Sequence, residues 1–460
     1  MTRPLLLIAA ARTISVALGI LLLGVLGRRL GAAGFGTLQF ALALMVYPAL
    51  VVDLGLTTLG LREIARGGGS VDVVPRVLGA RLFLAMAVGI VVIAALFMLP
   101  LDAETRTIVL ILTLGLPVSA WNLRWVLQGE RRFGRAAIAE VLTTGTQLIA
   151  ALVLVRSNDD TVRAAGALTL ATIVATVASI VLAGQAGRVR PGLGRGVIDD
   201  IVHSLPLGAA GIAIAIYYSI DVVLLGLFRG QEEVAFYAGA YRIIMPILAL
   251  ASAVAIVAIP HLSFLNVSDE TAAGPAATNL SRRLIIVAVP IATGGALTAE
   301  AIIAAVYGSA FAPAADPFRV LIWSVVTVYA NAAFAFLLLS RQGDRRYLAV
   351  TLAGAVLNVG LNLVVIPIAG MIGAAFTTMA SEVLVLGLIL WWTRDVSLRA
   401  VRDAFAAAAV PTLAMAIAVW PFRSSLLAVP IGILAYGLVA AATGIIPLRR
   451  LLSRRTAVET

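Results

Sequence analysis

Five ionisable side chains sit deep inside long apolar runs of this sequence: Arg12, Asp53, Asp221, Arg242 and Glu382. An ionised group at the centre of a membrane helix costs about 2.5–3.5 kcal/mol on insertion scales, so each needs a partner or a task. Arg12 and Asp53 fall at similar depth, about 10 Å at helical rise from the same end of consecutive runs. Asp221 and Arg242 repeat the couple about 10–12 Å from the opposite surface. Two readings stay open for each couple. It is a local ion pair that makes both groups tolerable, or its guanidinium is held available for an anion. Arginine suits phosphate because its planar fork stays charged and donates paired hydrogen bonds. Arg81, Arg124 and Glu140 lie only about one turn from a run's end, and snorkelling accounts for them.

A second set carries oxygen ligands. Asn358 and Asn362 stand one turn apart on one helical face, and Thr378 and Glu382 do the same on the next run. Asp221, Asn362 and Thr378 share a level. Oxygens at one depth on three helices could hold a monovalent coupling ion, Na⁺ or H⁺. Equally, Asn358 could hydrogen-bond across a helix pair to a protonated Glu382. The sequence has no Cys and only two His, His203 and His261, so disulfides, thiolate sites and a His-based metal cluster are excluded. No cofactor is expected.

These residues must be positioned by membrane helices. Hydrophobic residues make up 61% of the chain and charged ones 12%, about half the share usual in soluble domains. Apolar runs cover 5–26, 37–60, 78–99, 107–127, 136–155 and 164–183, then 201–228, 234–259, 284–307, 318–340, 347–367 and 370–392, and finally 404–422 and 425–446. Each is about one bilayer crossing long for a helix. The runs are continuous and do not alternate, which argues against barrel strands. An all-α membrane protein of about fourteen spans follows. The first run is too long for a signal-peptide core and is read as a span.

All 34 basic residues are arginine. With the N-terminus inside, 22 of them fall in cytoplasmic segments and 8 in outer ones, the bias of the positive-inside rule. The charge of +11 is therefore a topology signal and not a nucleic-acid surface. Both termini are expected in the cytoplasm, in a bacterial or archaeal cytoplasmic membrane. The outer pair Arg28-Arg29 is the exception. The longest connection, 261–283, contains a polar, breaker-rich stretch at 268–277 that reads as a flexible link.

The two sets of six runs are related. VLGRRLG at 25–31 and FGTLQFA at 35–41 align with LLGLFRG at 224–230 and VAFYAGA at 234–240 at an offset of 199. QGERRF at 128–133 matches QGDRRY at 342–347 at an offset of 214. Six is even, so the copies share one orientation about an axis along the membrane normal, a transporter architecture. The expected divisions are an N-lobe at 1–185, a C-lobe at 201–395, two further helices at 404–446 and a cytoplasmic tail at 447–460.

At this level of detail the chain resembles the multidrug/oligosaccharidyl-lipid/polysaccharide (MOP) transporter superfamily, and within it the Wzx-type polysaccharide flippases. The pieces are LGAAGFG at 30–36, DLGL at 53–56, Asp221 followed by FYAGAYR at 236–242, YGSAF at 307–311, NVGLN at 358–362, and Pro367 followed by GAA at 373–375. Together they cover the first twelve spans. The resemblance implies a MATE-like fold, no covalent catalysis, and passage of a polyprenyl-diphosphate-linked oligosaccharide from the cytoplasmic to the outer leaflet. It implies a cavity lined by the first, second, seventh and eighth spans, with Arg12 and Arg242 on its wall for the diphosphate, and Asp53 beside Arg12. Tyr217, Tyr218, Tyr237 and Tyr241 then anchor the chain near the outer surface, with sugar stacking as the alternative for Tyr241. The partners are the lipid-linked glycan and the bilayer.

Rival functions are a cation-coupled multidrug exporter, a peptidoglycan-precursor flippase of the same superfamily, a membrane polymerase or ligase of polysaccharide assembly, and a non-transporting scaffold. The deep arginines weigh against a site for cationic drugs. The short outer segments lack the His or Cys that an outer-face enzyme would use. Reporter fusions in 130–135, in 342–346 and after the last run should all register as cytoplasmic. An outer location for any of the three would break the two-repeat topology.

Overall fold

The computed structural model describes the backbone of residues 2–192, 194, 196–268, 270–341 and 343–445, and the side chains of the same residues apart from 2–9, 252–273, 340 and 344. The expected tail at 447–460 lies outside the described residues, as do Arg195 and Gln342. Every regular element described is helical.

The chain forms two compact units, Met1–Ala238 with Val306–Ala310, and Gly239–Ala305 with Phe311–Thr460. The first holds α1 (Thr2–Asp53), α2 (Leu56–Ala65), α3 (Ser70–Met98), α4 (Ala103–Ala120), α5 (Arg124–Gly129), α6 (Phe133–Leu154), α7 (Thr161–Ala183), α8 (Gly196–Phe228) and the start of α9 (Gln231–Ser268). The second holds the rest of α9, then α10 (Glu270–Leu297), most of α11 (Ala299–Tyr307), α12 (Ala315–Leu321), α13 (Ser324–Ser340), α14 (Asp344–Trp392), α15 (Ser397–Val419) and α16 (Ala428–Ala442). Within the first unit α1 packs on α6 and α8, and α7 packs on α4 and α6. Within the second, α10 packs on α13 and α15, and α15 on α16.

Eleven helical stretches are long and apolar enough to cross a membrane. Two of them are double, because the backbone of α1 turns at Gly31 (φ 66°) and that of α14 at Gly370 (φ 55°). With the shorter apolar helix α16, the fourteen expected spans are all present among the described residues. Side chains such as Phe97 and Leu438, on helices long or apolar enough for a membrane, are 79% and 71% exposed, as suits a lipid-facing surface.

The internal repeat has a backbone signature. At the offset of 199, Gly31 falls on Gly230, and the two have φ of 66° and 103°. At Gly31 ψ is −177°, a conformation that is essentially glycine's alone. Gly36 has a different reason to be glycine. A Cβ there would lie 1.7 Å from the Gln231 carbonyl oxygen, so α1 and the start of α9 can approach only without a side chain.

Where a flexible link is expected at 268–277, the described residues are helical. α9 runs to Ser268 and α10 starts at Glu270. Ala277 is fully buried in a cluster with Phe334, Val350 and Ile389, and Leu280 packs against it. That burial outweighs the Gly and Pro signals. The span expected at 37–60 also stops early, at Asp53, where Leu54 and Gly55 take positive φ before α2 begins.

Three arginines satisfy helix ends that would otherwise be bare. Arg29 Nη1 donates to the carbonyls of Leu152 (2.7 Å) and Val155 (2.5 Å) at the end of α6. Arg28 Nε donates to the Val306 carbonyl (3.1 Å) at the end of α11. The pair that stood against the charge bias is thus a pair of C-terminal caps. Arg81 closes α4, with Nη1 2.8 Å from the Ala120 carbonyl and Nη2 3.2 Å from that of Ser119. It is 8% exposed, so the expected snorkelling does not occur. Arg81→Met keeps the bulk but strips these carbonyls and Asp53 of their partner. It should lower stability by on the order of 3 kcal/mol, read as an earlier thermal transition of the purified protein in detergent. An unchanged transition would remove the capping role.

Candidate functional site

In the first unit the ionic residues sort into two groups, and the sorting differs from the sequence expectation. Arg12 Nη1 meets Glu140 Oε1 at 2.8 Å, and Arg124 Nη1 lies 3.9 Å from the other oxygen of the same carboxylate. Asp53 instead takes Arg81 Nε at 3.5 Å and the Thr57 hydroxyl at 3.1 Å. The expected Arg12–Asp53 pair is therefore replaced by two separate pairs. Depth along a helix can be read from sequence, but the direction a side chain faces depends on which helix packs where. Here α6 lies along α1 and brings Glu140 to Arg12.

The local chain explains why Arg124 is available. The helix breaks at 121–123, and a new short helix starts at Arg124. The break is pinned by the Leu123 N–H donating to Ser179 Oγ (2.9 Å) and the Arg124 N–H donating to Asn122 Oδ1 (3.0 Å). Two guanidiniums then share one carboxylate, which leaves a net positive charge. The Arg12 side chain is 63% exposed and Glu140 26%. Arg12 spends one of its five N–H donors on Glu140, and its side chain stays largely exposed.

Elsewhere in the first unit, Asp221 is 2% exposed and accepts hydrogen bonds from the Tyr237 hydroxyl and from the Val222 N–H. Tyr237 is fully buried, so it is no interfacial anchor. Tyr217 and Tyr218 stack edge to face, 4.9 Å between centroids.

In the second unit, Asn362 Nδ2 donates to Asn358 Oδ1 at 3.1 Å. Both residues are fully buried, and the remaining Asn358 Nδ2 and Asn362 Oδ1 have no hydrogen-bond partner. Past the Gly370 turn, Thr378 and Glu382 are also buried, at 6% and 5% exposure. Arg242 is exposed on α9 while Tyr241 beside it is buried, so the two do not present one surface. An apolar cavity of about 430 Å³ lies in this unit, bordered by Ile291, Phe318, Met415, Val419 and Tyr436. Among the described residues no group of His, Cys, Asp and Glu could hold a metal ion.

Sequence reasoning missed Glu140 as the partner of Arg12. Its depth near a run's end is visible, but it reads as a snorkelling residue because nothing in the sequence tells that α6 neighbours α1.

The family model for polysaccharide biosynthesis proteins matches residues 2–265, more than half of the chain. No curated relative matches the chain significantly. Among solved structures, a lipid II flippase, MurJ, in an inward closed conformation superposes with a TM-score of 0.79, covering 97% of this chain and 100% of that one at 12% identity. An inward-facing multidrug resistance MATE family transporter of the MOP superfamily gives 0.65, covering 86% and 99% at 18% identity. A MOP superfamily transporter from Pyrococcus furiosus gives 0.51, covering 85% and 93% at 17% identity. At such identities the likeness is one of fold. By its matching segment and its helical architecture, the chain belongs to the polysaccharide biosynthesis protein family and has the fold of the MOP transporter superfamily.

Proposed function

We propose that this protein is a flippase that moves a polyprenyl-diphosphate-linked oligosaccharide from the cytoplasmic to the outer leaflet, with Arg12 and Arg124 receiving the diphosphate. The observation that carries the reading is the shared carboxylate. Glu140 holds two guanidiniums within 4 Å, and the exposed Arg12 keeps its fork open. A diphosphate is the ligand that such an excess of fixed positive charge suits, because each charged oxygen takes a paired N–H contact. The apolar cavity of the second unit is suited to hydrocarbon, as the lipid portion requires.

The test uses full-length protein in vesicles with a fluorescent polyprenyl-diphosphate glycan. Arg12→Ala with Arg124→Ala should slow flipping about tenfold or more, since a charge-assisted hydrogen bond contributes on the order of 1.5–3 kcal/mol. Arg12→Ala with Glu140→Gln discriminates the rival role. If Arg12 only neutralises Glu140, that double variant flips normally, and the diphosphate role is refuted. Running a peptidoglycan precursor in parallel separates the two lipid-linked substrate classes.

The same reading gives Asn358 and Asn362, with Thr378 and Glu382, the coupling role for Na⁺ or H⁺. Its support is the unpartnered Asn362 amide oxygen buried in an apolar span. Flipping driven by either ion gradient should lose that dependence in Asn362→Leu. Unchanged dependence would remove these residues from coupling.

A further inference from the structure

The Arg12–Glu140 pair is followed, two turns along both helices, by a second juxtaposition. α1 and α6 run side by side in one direction, since Arg12 meets Glu140 and Arg29 meets the Leu152 and Val155 carbonyls. A step of seven residues returns to the same helical face, to within about 20°. Seven residues beyond Arg12 stands Gly19, and seven beyond Glu140 stands Gln147. Each lies about 10 Å further along its helix than its ionic neighbour. Gln147 is about 16 Å into the apolar run 136–155, near the middle of a hydrocarbon core about 30 Å thick.

Gln147 does not face lipid. The lipid side of α6 is marked by Ile138, Leu142, Ile149 and Val153, all exposed. By helical periodicity these fall about 160–220° around the axis from Glu140, whereas Gln147 falls within about 20° of it.

Its side chain is part-exposed, and nothing among the described residues hydrogen-bonds its amide. Thr143 and Thr144 on the same helix return their hydroxyls to the carbonyls of Ala139 (2.7 Å) and Glu140 (3.3 Å). Gln147 has no such outlet. Its amide is also reachable. Ser15 Oγ on α1 is sealed off without a partner, but neither amide atom of Gln147 is closed in that way. The α1 side at this level is open, because a Cβ added at Gly19 would meet no atom within 4 Å. An inward-facing amide at membrane depth is costly unless something pairs it.

We propose that Gln147 is a specificity-determining residue whose amide pairs with the sugar joined to the diphosphate, while Arg12 and Arg124 hold the phosphates. The proposal rests on the glycan-flippase reading and adds a contact to the sugar. A primary amide donates N–H groups and offers a carbonyl oxygen, which matches a sugar hydroxyl that both donates and accepts. The polyprenyl portion has no group that could pair it. A phosphate would use only the N–H groups and is drawn more strongly to the guanidiniums. A cation is disfavoured two turns from a cluster with surplus positive charge.

The probes are the lipid-linked glycans extracted from the source cells' membranes and polyprenyl diphosphate without sugar. Each is titrated against the full-length protein in detergent, and the ratio of the two affinities is the readout. The wild type should bind the glycan form more tightly. Gln147→Met keeps the length of the side chain and suits a membrane helix, so the thermal transition should stay in place. It should weaken the glycan form alone, severalfold and up to about tenfold, and so remove the preference. Arg12→Ala with Arg124→Ala should weaken both probes and keep the ratio. A wild-type ratio in Gln147→Met overturns the proposal, whether both affinities fall together or neither changes. So does a wild type without preference for the glycan form. Arginine variants that bind both probes as the wild type does refute the diphosphate reading instead, and the ratio in Gln147→Met still decides the sugar contact.

Discussion

In hydrocarbon a bare carbonyl or charge costs several kcal/mol, because no water is at hand to pair it. That constraint fixes the arginines of the first unit. Where a helix must end within or near the membrane, its last carbonyls need donors, and arginine can reach them from a neighbouring helix. Arg29 serves α6, Arg28 serves α11 and Arg81 serves α4. A side chain that caps a neighbour also fixes the distance between the two helices. The caps are therefore part of what holds α1 on α6 and α3 on α4, in a bundle whose apolar side chains gain little by leaving lipid for protein.

The same constraint sorts the acidic residues. Asp53 ends its helix beside Arg81, so its charge is answered by the residue that caps α4. This leaves Arg12 to Glu140. Had Asp53 been the partner of Arg12, one carboxylate would have neutralised one guanidinium and little attraction for an anion would remain. With Glu140 shared between Arg12 and Arg124, the cluster keeps a surplus positive charge. An asymmetric ion cluster costs more to build than a matched pair.

Much of the frame was legible in the sequence, because lipid forces a one-dimensional code. Run length gives the spans, arginine placement gives the expected sidedness, and the repeat at 25–31 and 224–230 reappears as glycines of matching left-handed φ. What stayed hidden depends on rotation about helix axes. Arg12 stood out as deep and charged, but Glu140 could not be chosen over Asp53 without knowing that α6 neighbours α1. Arg28 and Arg29 looked like an error of topology because a cap on another helix leaves no mark in the local sequence. The helix at 270–277 was hidden for the opposite reason. Its Gly and Pro are local signals, and the burial of Ala277 against α13 and α14 overrode them.

The polar groups along α1 are arranged by sign. Near Arg12 positive charge is in excess, and at the Gly31 turn the lining of a polar cavity holds carboxylates and no arginine. Arginines do occur at that end, but Arg29 is committed to helix carbonyls and Arg163 to Asp160. Their commitment is what leaves Glu104, Asp159 and Glu232 without a neutralising neighbour in the lining. At about 28 Å, several Debye lengths at physiological salt, the two ends barely sense each other through water.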